Sequence, residues 1–269
     1  MADKGITVWV YDDEGTSALS VNSALATFKT KLLVNNLTAI RTISSKDIIA
    51  GRLSDNSAIG LLIMPGGADL PYCHKLNGLG NHMIREFVNS GNIYIGICAG
   101  GYYGARDIDF FGEGYEITGA RELAFFSGTA IGSMSAFTNG QLYDQTVASK
   151  AMVTLDYADG QQDDVYYHGG AHFTGEDNTS YDILARYSDG TNAVIAGEWG
   201  QGKYLLSGVH FELWADHYHE YVVAQAKAID LEKERLLLAA INHKRYGVLI
   251  YDYIKKMMSE LSKTLYSQS

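Results

Sequence analysis

Four short apolar runs lie in the first hundred residues: Ile6–Tyr11, Leu37–Ile43, Ala58–Met64 and Ile93–Ile97. Ala58–Met64 (AIGLLIM) is apolar without a break, as suits a strand covered on both faces. Helical segments separate the runs. Ser20–Leu33 repeats apolar residues at Val21, Leu25, Phe28 and Leu32, one face of a helix. Ser45–Ala50 reads as a short helix with a serine at the cap, and His74–Val88 as a longer one. This β-α-β-α order predicts a parallel sheet with helices on both faces.

The second half changes rhythm. Ala151–Tyr157, Val165–His168, Ile183–Ser188, Ala193–Glu198 and Gly202–Val209 are short strand candidates, with turn sequences ADGQQDD, SDGTN and WGQGK among them. YSDGTN predicts a hairpin, so the later strands are expected to be partly antiparallel. From Leu213 the pattern is helical to the end, clearest in LEKERLLLAAI. The expected organisation is a domain over residues 1–215 and a helical extension over 216–269 packed on it.

Composition excludes several classes. Of 269 residues, 46% are hydrophobic and 19% charged, enough apolar material for a packed core. The 21 Lys+Arg against 31 Asp+Glu leave a charge of -10, which argues against nucleic acid or an anionic membrane surface as partner. No run reaches the ~18 apolar residues of a membrane helix. The start, MADKGITVWVYDDEG, lacks the basic opening and long apolar stretch of a secretory signal. Cys73 and Cys98 do not make a disulfide framework. A cytoplasmic location is the default expectation. There is no phosphate loop and no dinucleotide fingerprint after the first strand, so no nucleotide cofactor is expected. His168 and His172 in HGGAH are too few ligands for a zinc site, so no metal is expected.

The chemistry concentrates in three segments. In YIGICAGGYYGA a strand ends at Ile97 and Cys98 follows at once among Gly96, Ala99, Gly100 and Gly101. A strained strand-to-helix turn that exposes a nucleophile requires such small neighbours. It sets the sulfur at a helix N-terminus, which favours the thiolate. VHFEL carries His210 and Glu212 just past a strand, where an imidazole could exchange the thiol proton and a carboxylate fix its tautomer. LLIMPGGADLPY turns at Gly66-Gly67, whose N–H groups, with that of Ala99, could form an oxyanion hole. Tyr102, Tyr103, Tyr166 and Tyr167 flank these segments, as pocket walls or as ordinary half-buried tyrosines.

Together these segments resemble the class I glutamine amidotransferase-like superfamily. Within it they are most similar to the N-terminal domain of fungal-type biotin–protein ligases and its stand-alone bacterial relatives. VYDDEGTSALSV, PGGADLPYCHKLNGLGNHMIREFV, GNIYIGICAGGYYGA and YYHGGAHF carry the resemblance, which spans about residues 5–215. It implies a flavodoxin-like three-layer α/β sandwich with a mixed, mainly parallel sheet and a helical C-terminal extension. It also implies a Cys98-His210-Glu212 triad, an oxyanion loop at Gly66 and Gly67 with Ala99, and a substrate pocket reaching Tyr102 and His168. Two positions depart from the pattern. Tyr102 stands where glutaminases carry a substrate-contacting glutamine, and Phe211 replaces the usual proline between His and Glu. Hydrolysis of free glutamine is therefore not expected.

The expected function is a cysteine-dependent hydrolase or amidotransferase-like protein acting on an amide or related acyl bond. Its substrate would be a small molecule or peptide-like, and any synthetase or ligase partner is unspecified. One alternative is a non-catalytic binding or regulatory domain, to which Tyr102 points; another is a redox or electrophile-handling protein built on the Cys98 thiol. The eight arginines are never closer than ten positions and do not form the Gly/Arg-rich loop of biotin activation, so the chain is expected not to be a biotin ligase.

Overall fold

The computed structural model describes residues 5–32, 37–53, 59–175, 180–243 and 245–267. Leu33 and Ala58, at the margins of two predicted elements, lie outside the described residues. The first half contains β1 (Ile6–Tyr11), α1 (Ala18–Lys31), β2 (Leu37–Ile43), α2 (Ser45–Ile49), β3 (Ile59–Met64), α3 (Asp69–Leu76), α4 (Leu79–Asn89), β4 (Ile93–Ile97) and α5 (Ala99–Gly104). Ser44 opens α2 with a reciprocal capping box to Asp47. The predicted helix His74–Val88 is two helices, because the chain breaks at Asn77–Gly78, where Gly78 takes φ 80°.

The second half contains β5 (Ala105–Gly112), β6 (Tyr115–Ala120), β7 (Phe126–Gly132), β8 (Lys150–Tyr157), β9 (Gln162–His168), β10 (His172–Thr174), β11 (Asp182–Tyr187), β12 (Asn192–Trp199) and β13 (Gly202–Ser207). The helices α6 (Ala215–Tyr221), α7 (Leu231–Ile241) and α8 (Val248–Ser267) close the chain. Among the described residues, nine strands form one sheet in the order β2-β1-β3-β4-β13-β12-β11-β8-β9. The first five run parallel, a flavodoxin-like arrangement, and the remaining pairings are antiparallel. The SDGTN turn joins β11 to β12 as an antiparallel pair.

Successive residues of the central strands enter opposite cores. Ile6, Val8 and Val10 of β1 pack with Val21 and Phe28 of α1, while Trp9 and Tyr11 pack with Tyr72 of α3 and Phe87 of α4. The C-terminal helices belong to the first of these cores, through Leu237 and Ile241 of α7 and Ile250, Ile254 and Met257 of α8. Each such side chain, buried to a few per cent exposure or less, stabilises the fold by about 1.5–3 kcal/mol relative to solvent. The result is the three-layer α/β sandwich with a mixed sheet and C-terminal helices.

A second sheet, β10-β7-β5-β6, stands beside the first. The periodicity gives no sign of β5, β6 and β7. The side chains of β6 are nearly all exposed, and β5 and β7 mix charged or small residues with apolar ones. Among the described residues no helix is long and apolar enough to cross a membrane.

Candidate active site

The site forms where β4 and β13 end side by side. The two strands are parallel neighbours with Ile97 opposite Ser207, and the Cys98 N–H donates to the Ser207 carbonyl oxygen at 2.9 Å. Cys98 takes φ 50° and ψ -106°, a strained conformation for a residue with a side chain, between β4 and α5. The turn has no room for bulk: a Cβ on Gly100 would lie 2.0 Å from the Met64 carbonyl oxygen. Because α5 has only six residues, its field at the sulfur is that of little more than one turn. The thiol lies beside the His210 ring, whose pKa it helps to raise.

His210 and Glu212 leave β13 toward the same edge. His210 Nδ1 lies 2.9 Å from Glu212 Oε1, so Nδ1 carries the hydrogen and Nε2 is left for Cys98. Glu212 is fully buried. Its Oε1 also accepts from Ser20 Oγ at 2.6 Å, and Ser20 Oγ accepts from the Gly66 N–H at 2.9 Å. Burial opposes charge on His210, but the Glu212 carboxylate, the Cys98 sulfur and the hydrogen bonds to both outweigh it, and the imidazole is held well above its ordinary pKa. The main chain fixes the ring as well. The His210 N–H donates to the Tyr166 carbonyl at 2.9 Å, and Tyr246 Oη donates to the His210 carbonyl while accepting from the Tyr166 N–H.

Above the thiol is a cavity of about 460 Å³. Cys98 and His210 form its floor, and the loop residues Gly67, Ala68 and Leu70 one wall. Ile108, Phe110, Tyr115 and Ile117, also on the lining, come from β5 and β6. Ala99, Tyr102 and His168 line the cavity as well. Tyr102 Oη donates to the Gly169 carbonyl at 3.1 Å and stands edge-on to Phe110. His168 Nε2 is 2.9 Å from the Asp144 carbonyl oxygen and 3.1 Å from Ser149 Oγ, and the His168 carbonyl oxygen is 3.7 Å from Cys98 Sγ. Burial pushes the His168 ring down to about 3, so it is neutral.

One expected residue has a different task. The Gly66 N–H is spent on Ser20 and is not available to an oxyanion. Gly66 instead makes room for the imidazole, since a Cβ there would lie 2.5 Å from His210 Cε1. Gly67 and Ala99 remain at the cavity wall. His168 and His172 fall in different sheets, on β9 and β10. In the segment DHYH, Asp216 and His219 are exposed, and Tyr218 between them turns inward.

Several site residues have no signal in spacing. Ser20 stands in the VYDDEGTSALSV stretch but is unmarked there. Tyr246 lies in the C-terminal helical region. Tyr166 at the cavity stands edge-on to Tyr218, which donates to Glu234, itself paired with Lys150. Ser20→Ala is expected to cost about 1–3 kcal/mol in urea unfolding, because it orphans the buried Gly66 N–H and removes a donor from a buried carboxylate. Glu212 Oε2 already has no partner among the described residues. A loss near zero would mean that Ser20 is replaceable by solvent.

The family described as "Biotin-protein ligase, N terminal" matches residues 6–266. A biotin–protein ligase of Schizosaccharomyces pombe is 32% identical over 226 residues, covering 78% of this chain. The chain spans only 34% of that ligase's length. An uncharacterized protein of Chlamydia muridarum is 28% identical over 89% of this chain and 98% of its own. In structure, a glutamine amidotransferase superposes with TM-score 0.51 at 18% identity, over 85% of this chain and 98% of its own, a likeness of fold. The family and the yeast ligase overturn the expectation of a cysteine hydrolase or amidotransferase-like protein set apart from biotin ligation, since both point to a ligase-related role. Arginine spacing tests only for the biotin-activating loop and is silent about a segment matching a third of a ligase. With the match running over nearly all of its length, the chain belongs to the biotin–protein ligase N-terminal family.

Proposed function

We propose that the chain serves protein biotinylation, and that its contribution is the pocket over Cys98, which binds a carbonyl-bearing small molecule in a biotin–protein ligase system. The family match over residues 6–266 carries this reading. The thiol and imidazole at the pocket floor, with the buried Glu212 carboxylate bonded to the imidazole, support its chemistry. In this reading the Cys98 sulfur faces the carbonyl carbon, His210 holds the shared proton, and Glu212 keeps the imidazole in its Nδ1–H form. The N–H groups of Gly67 and Ala99 face the carbonyl oxygen, and Tyr102 and His168 shape the wall. The partner is a ligase that supplies biotin activation. A cytoplasmic setting suits the two free thiols, Cys73 and Cys98.

Biotin transfer to an acceptor protein by a biotin–protein ligase, with and without the purified chain, tests this. The chain is expected to change the transfer rate or the half-saturating biotin concentration by about fivefold or more, the usual scale of coupling between sites. Cys98→Ala should lose that effect. A folded chain that changes neither quantity at large molar excess overturns the reading.

A further inference from the structure

The walls of the pocket are apolar and aromatic. Leu70, Ile108, Phe110, Tyr115, Ile117 and Tyr143 line it, and Phe110 stands edge-on to both Tyr102 and Tyr143, with centroids 5.6 Å away in each case. Its charged groups are acids or are already paired. The His210 ring is engaged through Nδ1 by Glu212. Asp69 lines the pocket, and its partner Arg121 is turned away. Arg121 Nε donates to Asp69 Oδ2 at 2.7 Å, Nη1 donates to the Gly119 and Ala120 carbonyls, and Nη2 is sealed from solvent. Lys150 is held by Glu234 at 2.7 Å. His168 is neutral, its Nε2 occupied by the Asp144 carbonyl. Among the described residues no Lys or Arg lines the cavity.

We infer that this pocket selects a neutral acyl ligand, a capped carboxyl group such as an amide or ester on an apolar, ring-bearing body, and rejects the free carboxylate. A carboxylate entering it would shed its water and find no Lys or Arg on the lining to receive it, since Arg121 is spent on Asp69 and the His210 ring on Glu212. A capped carbonyl keeps an acceptor oxygen for the N–H groups of Gly67 and Ala99 and brings no charge. The aromatic walls contact a flat or bicyclic body over its faces. The choice of the biotinyl group as that body rests on the biotinylation reading above. On that reading the pocket takes biotin whose carboxyl is capped, as it is once joined to an amine, and not free biotin.

Titration of the full chain at neutral pH with two matched pairs tests this: biotinamide against biotin, and phenylacetamide against phenylacetate. The amide is expected to bind about tenfold or more tightly than its acid in whichever pair binds. Ile117→Lys, which sets a cation on the β6 wall, should narrow or reverse that gap. An acid that binds as tightly as its amide overturns the inference, as does a chain that binds none of the four compounds. Amide preference in the phenyl pair with neither biotin form bound leaves the neutral-ligand inference standing and removes the biotinyl group. That result is distinct from the ligase-coupling experiment, which can fail or succeed independently.

Discussion

Lys150→Met is expected to destabilise the protein by about 3–5 kcal/mol, the range for removing one partner of a buried ion pair. Lys150 Nζ lies 2.7 Å from Glu234 Oε1, and the two side chains are 9% and 4% exposed. The other carboxylate oxygen accepts from Tyr218 Oη at 2.6 Å. Methionine fills much of the lysine stem's volume, so the loss reports an unpaired buried carboxylate more than a cavity. Glu234→Gln in the same background should recover part of it, because the amide needs no counter-charge. Urea unfolding of the wild type, the single variant and the double variant reads the cycle. A loss below about 1 kcal/mol would mean that the pair is solvated and behaves as a surface bridge. The pair joins β8 to α7, and Tyr218 carries the connection to Tyr166 at the cavity wall. A destabilised Lys150→Met variant should therefore also bind pocket ligands less tightly.

What was legible in the sequence follows from the range of the interactions. The parallel half could be read because each central strand is an apolar run buried on both faces, as Ile59–Met64 is. The elbow could be read because its demand for small residues is local, falling between Gly96 and Gly101. The second sheet could not. β6 turns its side chains to solvent, yet Tyr115 and Ile117 reach the cavity from it. That part of the pocket wall was thus invisible to periodicity. Ser20 was invisible for another reason: its partner Glu212 is 192 positions away, and a single hydroxyl has no periodic signature. Gly66 shows the limit of motif reading. A Gly-Gly turn suits an oxyanion loop and a close approach of an imidazole equally well, and only the Ser20 hydrogen bond decides between them. Arginine spacing misleads on the ligase question because it tests for one loop of a biotin ligase, while PGGADLPY and the elbow point to the family.

Cys98 is expected to react with iodoacetamide about tenfold or more faster than Cys73 at pH 6–7. Access does not rank the two thiols, since each is 9% exposed. Burial pushes the Cys73 thiol up, and the nearby Arg121 opposes that only in part. Cys98 instead opens to the cavity and hydrogen-bonds an imidazole that Glu212 keeps protonated. His210→Ala should slow Cys98 labelling about tenfold, because it removes the imidazole that can take up the thiol proton. The pH dependence has a definite sign. His210 has a folded-state pKa raised above its unfolded value, so its contribution to stability is complete below the unfolded value and is lost as pH rises through the folded one. Glu212→Gln removes the largest force raising that pKa. The variant should lose Cys98 reactivity most at pH 6–7, below the ordinary thiol range, and regain it toward alkaline pH, where the thiol ionises without help from the imidazole. Peptide mass spectrometry of timed labelling across pH measures all three chains. Faster labelling of Cys73, or a His210→Ala protein that labels at Cys98 like the wild type, would show that the imidazole does not activate this sulfur.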